Sequence, residues 1–112
     1  MASHRYYKLD GKKAVPCSVN EAEAMFGADR RVAFTEISTT CSVSTVFLPI
    51  NHNFYDGGDP LIFETMVFGT GIDEDRYGEM RRYSTWEQAE AGHNEMVAEM
   101  YRKSFKVINE KH

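Results

Sequence analysis

The feature that leaves this chain least freedom lies in its C-terminal third. Trp86, Ala89, His93, Met96, Val97, Met100, Tyr101 and Ser104 recur at three- and four-residue spacing. At ~3.6 residues per turn this gathers them into one stripe over about five helical turns. A stripe of that length has to be buried against another layer of structure. Ser84-Thr85-Trp86-Glu87 ahead of it reads as a capping box. Glu87, Glu90 and Glu95 come early and Arg102 and Lys103 late, an order that suits the helix dipole. From Lys106 to His112 the pattern stops, and fraying is expected there.

The layer that receives the stripe has to come from upstream, and the upstream segments read as strands. Arg31 to Ser38 carries Val32, Phe34 and Ile37, and Cys41 to Leu48 is rich in β-branched residues. Leu61 to Phe68 is apolar except for Glu64 and Thr65, and Gly78 to Tyr83 gives a further candidate. Such composition at such lengths favours strand over helix. Nearer the N-terminus, Tyr6 to Leu9 and Lys12 to Val15 flank Asp10-Gly11, a strong two-residue hairpin signal. Pro16 ends that element. Ser18 and Glu21 then form a capping box for a short helix with Ala22, Met25 and Phe26 on its apolar face and Gly27 as its stop. Strands run consecutively with helices at the flanks, so the expected class is α+β. The expected fold is an antiparallel sheet of about four to five strands, extended by the N-terminal hairpin. It has a short N-terminal helix and a long C-terminal helix packed on one face. With no repeat or linker, residues 1–112 read as a single domain, with residues 1–17 as the hairpin and 106–112 as the tail.

Charge narrows the function classes. A formal net charge of −4 argues against a nucleic-acid partner, which needs a basic field. Tyr6, Tyr7 and Lys8 near Lys12 and Lys13 make only a small basic-aromatic patch, and the strand aromatics are expected in the core. No apolar run approaches the ~20 residues of a membrane span. Met1 to Leu9 is polar and basic, without the apolar stretch of a signal peptide. The expectation is a cytoplasmic protein with no membrane partner, in which Cys17 and Cys41 are reduced and serve as small core or edge residues.

The chemistry-bearing residues are few. The connection from Pro49 to Pro60 holds His52, Asn53, Tyr55, Asp56 and Asp59 and is longer than most. It reads either as a binding loop or as a wide turn. Glu64 interrupts an apolar strand, where it is either a general acid or base or the cross-strand partner of Arg82, and the pair is favoured. His93 falls on the apolar stripe; a histidine satisfied by a carbonyl or carboxylate is the ordinary outcome there, a ligand or proton shuttle the other. His52, Glu64 and His93 are weak catalytic candidates that could converge, but nothing in their spacing requires it. Metal-site, nucleotide-loop and nucleophile-elbow motifs are all missing. No cofactor or metal is expected, and the leaning is away from an enzyme. Met66, Met80, Met96 and Met100 read as core filler.

From Ser44 to Val97 the chain carries STVFLPINHNF, then PLIFETMVFG, then EMRRYSTWEQAEAGHNEMV. This block resembles a family of small accessory proteins of tailed bacteriophages and prophages. They share an STV-aromatic-L strand, an aspartate-histidine loop, an apolar strand ending IFETMVFG, and an RYST helix start ending AGH. The resemblance covers about half of the chain. Asn51 stands where the family has an aspartate, and Gly58-Asp59 where a glycine-proline pair is usual. The resemblance implies a protein made in the bacterial cytoplasm. It also singles out His52, Glu64, Thr65, Arg82, Tyr83 and His93. The leading expectation is a non-enzymatic protein that binds a host or phage protein, with counter-defence as one such role. Its binding residues would be His52, Asn53, Tyr55, Asp56, Glu64, Thr65, Arg82 and Tyr83. The rivals are a small-molecule or nucleotide sponge or small enzyme using His52, Glu64 and His93, and a structural homo-oligomer such as a dimer.

Overall fold

The computed structural model describes residues 4–54, 57–69 and 79–110, with side chains described as far as Lys103. The N-terminal hairpin forms, one residue out of the expected register. β1 (Tyr7–Asp10) pairs with β2 (Lys13–Pro16) so that Asp10 faces Lys13. The turn is therefore Gly11-Lys12 rather than Asp10-Gly11. Only Gly11 takes a positive φ, +64°, the pattern of a turn that wants glycine at its first central position. Ser18 caps α1 (Val19–Met25) through the full capping box with Glu21, and Lys8 on β1 pairs with the same Glu21 carboxylate. Ala22 is buried and Met25 partly so, whereas Phe26 is exposed. Gly27 does not take the left-handed conformation; the N–H groups of Phe26, Gly27 and Ala28 close the helix with three-residue turns onto Glu23, Ala24 and Met25.

A four-stranded antiparallel meander follows in the order β3-β4-β5-β6: β3 (Arg31–Ser38), β4 (Cys41–Phe47), β5 (Phe63–Gly69) and β6 (Met80–Tyr83). The hairpin does not extend this sheet. It forms a two-stranded sheet of its own, tied on by a bridge between Tyr6 and Ile50. β4 and β5 alternate strictly, with Cys41, Val43, Thr45 and Phe47, and Phe63, Thr65 and Val67, all buried on one side. That side is covered by α2 (Trp86–Glu110), which runs past Lys106. The helix is capped one residue later than the sequence suggests. The Gln88 N–H donates to Thr85 Oγ1, and Gln88 Oε1 accepts from the Thr85 N–H, so Thr85 and Gln88 form the capping box instead of Ser84 and Glu87.

Between α2 and the sheet lie two apolar clusters. Phe47, Ile62, Phe63 and Ala89, with Tyr7 from the hairpin, make one, and Cys41, Val43, Val67, Met96 and Met100 make the other. Fully burying methionines such as Met96 and Met100 is worth roughly 1.5–3 kcal/mol each. In register, the pair Thr45–Thr65 falls between Phe47–Phe63 and Val43–Val67, so a polar layer divides the two clusters. Cys17 and Cys41 are both free thiols. On the other side of the sheet, Phe34, Phe68 and Met80 are exposed, so two strand aromatics and one of the four methionines are not core residues.

Candidate functional site

Strand alternation separates the expected site residues onto opposite faces. Glu64 and Arg82 are register partners on the side away from α2, and Arg82 Nε donates to Glu64 Oε2 at 3.2 Å. The cross-strand pair is therefore the reading that holds. Thr65 and Tyr83 sit on the helix side, together with His93. His52 lies on the connection between β4 and β5. His52, Glu64 and His93 are not brought together, and no group of three or more His, Cys, Asp or Glu among the described residues could hold a metal ion.

His93 is 2% exposed, but neither a carbonyl nor a carboxylate satisfies it. Its Nε2 shares a hydrogen bond with Thr35 Oγ1 at 2.9 Å, and its Nδ1 another with Thr45 Oγ1 at 2.7 Å. Thr45 Oγ1 in turn lies 2.5 Å from Thr65 Oγ1. A neutral imidazole has one N–H and one lone pair, and hydroxyls can donate or accept, so this chain satisfies the ring without a charge. Burial pushes the His93 pKa below its ordinary value, which also keeps it neutral. The chain joins β3, β4 and β5 to α2 and fixes how the helix sits on the sheet. It is shut away from solvent, so its chemistry is positional.

Gly92, one residue earlier, lets the helix accept Tyr83. A Cβ there would overlap the Tyr83 hydroxyl oxygen and the ring carbon that bears it. The buried hydroxyl sits beside Thr65 and Arg81 without a well-formed hydrogen bond, and burial raises its pKa. Arg81, next to it on β6, pairs with Glu99 of α2 at 2.8 Å and with Glu79 at 3.3 Å.

The connection between β4 and β5 is organised from beneath by a buried side-chain amide. Asn51 is 2% exposed. Its Oδ1 accepts from the backbone N–H groups of Asn53 and Leu61 at 2.8 and 2.9 Å, and its Nδ2 donates to the His4 carbonyl at 3.1 Å. A carboxylate could not make that third bond, so the amide suits a loop strapped to the N-terminal segment. His52 Nδ1 donates to the Ile50 carbonyl at 2.7 Å, and Asn53 Nδ2 donates to the Asp59 carbonyl at 2.9 Å. Above this base stands Phe54, 70% exposed, with the Arg5 guanidinium 5.2 Å from its ring centroid and the His52 ring at 6.2 Å. Tyr55 and Asp56, the other expected binding residues, lie outside the described residues.

Sequence reasoning passed over Phe54 and Gly92, and marked Asn51 only as a departure from the family pattern. It also passed over a cavity of about 520 Å³ between the hairpin and the start of α2, lined by Tyr7, Lys12, Lys13, Ile62, Thr85 and Trp86. The basic-aromatic patch of Tyr7, Lys12 and Lys13 was its one visible signal. Lys12 Nζ lies 5.8 Å from the Trp86 ring centroid, and the indole nitrogen is buried with no hydrogen-bond partner among the described residues. Among the described residues no helix is long and apolar enough to cross a membrane. No protein-family model, curated protein or solved structure matches the chain.

Proposed function

We propose that this chain is a non-enzymatic binding protein of the phage or prophage accessory kind, acting in the bacterial cytoplasm on a host or phage protein such as a defence component. Its recognition element is the connection between β4 and β5. The observation that carries the reading is Phe54, an aromatic held out at 70% exposure on a loop whose base is fixed by buried Asn51. Exposed aromatics on a preorganised base are the usual anchors of protein interfaces. Candidate catalytic groups are otherwise engaged: His93 in a threonine chain, Glu64 with Arg82, and His52 Nδ1 with a backbone carbonyl. The test is capture from phage-infected bacteria, followed by reconstitution with the purified partner. Phe54→Ala should weaken binding at least about tenfold while leaving the circular dichroism spectrum intact. Equal binding by the variant removes the loop from the interface.

A ligand-binding reading has one observation behind it, the cavity beside Trp86, which lies away from His52, Glu64 and His93. Native mass spectrometry of freshly purified protein separates the two. A mass above an integer multiple of 12.8 kDa points to a carried small molecule. A clean multiple favours the protein partner.

A further inference from the structure

We infer that the sheet face turned away from α2 is the interface of a symmetric homodimer. No described element covers this face. Three large apolar side chains stand on it: Phe34 at 48%, Phe68 at 50% and Met80 at 41% exposure. Register places Phe34, Ser44, Met66 and Met80 in one row that crosses all four strands. An apolar row of this kind on a one-sided sheet asks for a partner.

The charges on the face say which partner. Arg31 and Glu36 lie on the same strand, β3, one row to either side of Phe34. The Arg31 guanidinium sits 5.0 Å from the Phe34 ring centroid. Glu64 and Arg82 neutralise each other on the far strands. The described face therefore carries two positive and two negative groups, and Arg31 and Glu36, neither of them in an ion pair among the described residues, stand one row to either side of the row through Phe34. A two-fold axis running along that row, between two stacked sheets, sets each strand antiparallel over its own copy. The apolar rows then meet, and Arg31 of each copy stands over Glu36 of the other, twice per dimer. Beside Glu36 the surface dips into a hollow of about 290 Å³ between Phe34 and Phe68, with Ser42 at its floor, which is where the incoming guanidinium arrives. The same rotation lays Phe68 of each copy over the Glu64–Arg82 pair of the other, whose charges cancel, so the charge complementarity is that of Arg31 with Glu36, and on it the face fits a second copy of this chain, in the isologous geometry commonest among homo-oligomers.

The area sets the strength. Four strands about 4.8 Å apart and about seven residues long at about 3.3 Å each give a face of about 440 Å² per copy. Both copies together bury about 900 Å², below the ~1,600 Å² of a standard interface. An interface of that size belongs to the weak, transient class.

Sedimentation equilibrium of the purified chain, from about 5 to 500 µM, tests this without any other partner, so its outcome is independent of the function proposed above. The expected result is a monomer–dimer equilibrium that Phe34→Lys weakens at least about tenfold. Arg31→Glu and Glu36→Arg should each weaken it alone, because each places like charges face to face at both contacts. An equimolar mixture of the two variants should restore dimers, because in the mixed pair both contacts are again opposite in sign. A chain that stays monomeric at 500 µM overturns the inference, as does a dimer indifferent to Phe34→Lys. Failure of the mixed variants to pair overturns the two-fold arrangement.

Discussion

Lowering the pH should destabilise this protein through His93 in particular. The ring is buried, hydrogen-bonded to Thr35 and Thr45, and held neutral, with its pKa pushed below the ordinary 6.5 by burial. In the unfolded chain it takes up a proton near 6.5, before the folded protein does. The unfolded state therefore binds more protons below that pH. The contribution is intact above about 6.5 and is lost as the pH falls from there toward the folded pKa. One pH unit below 6.5 the loss is bounded at about 1.4 kcal/mol, against a stability of only about 5–15 kcal/mol for a whole domain. The threonine hydroxyls can accept from both ring N–H groups with the bond between Thr45 and Thr65 kept, so the cost of protonation is the burial of the charge. The assay is urea denaturation followed by fluorescence of the lone Trp86 at pH 7.5, 6.5 and 5.5. His93→Gln is the reference. It removes the titrating group, so it should be less stable at pH 7.5 yet decline less from pH 7.5 to 5.5, by a difference of at most about 1.4 kcal/mol. Parallel declines in the two proteins would refute the reasoning.

Other expectations follow from the same contacts. Gly92→Ala drives a methyl group into the Tyr83 ring and should cost about 1–3 kcal/mol or more, read as a lower urea midpoint with an unchanged slope. Tyr83→Phe removes a buried hydroxyl that lacks a well-formed hydrogen bond and should be neutral or slightly stabilising, by thermal melt. Asn51→Ala strands the Asn53 and Leu61 N–H groups and the His4 carbonyl and should cost about 2–4 kcal/mol, with the amide signals of the loop shifting most in NMR spectra. Glu64→Gln should change stability by less than about 1 kcal/mol, since its ion pair with Arg82 is partly solvated.

The fold was legible where local chemistry and burial agree. β3 begins and ends where its residues suggest, and α1 starts at the capping box that Ser18 and Glu21 announce. The pairing of Glu64 with Arg82 was legible because alternation and the next strand candidate left few other partners for the carboxylate. The capping of α2 was misread because Ser84 and Thr85 are both acceptable caps. Gln88 decides between them, since its side chain reaches the Ser84 and Thr85 N–H groups. The hairpin slipped by one residue because Asp-Gly and Gly-Lys turns differ only in which pair closes the ladder. The hairpin was expected to extend the main sheet, but the Tyr7 N–H donates instead to the Pro49 carbonyl and the Asn51 N–H to the Arg5 carbonyl, closing the bridge between Tyr6 and Ile50, a contact no local pattern announces. The exposure of Phe34 and Phe68 was hidden for a related reason. An alternating strand shows that two faces differ, and the fate of the second face depends on what the rest of the chain places there. His93 and its threonines were individually visible, yet their meeting depends on three strands and a helix in register.

The strap between the N-terminal segment and the β4–β5 connection also bears on the order in which the protein forms on the ribosome. β1 and β2 can close as soon as they emerge, since their contacts are local. Arg5 and Tyr7 find their backbone partners only when Asn51 and Pro49 have been made, and the Asn51 amide completes its set only when Leu61 has followed. Residues made early relative to the sheet are thus among those that wait for a distant partner. A fusion or a trimmed N-terminus would act at a distance, loosening the loop that carries Phe54 while leaving the central meander able to fold.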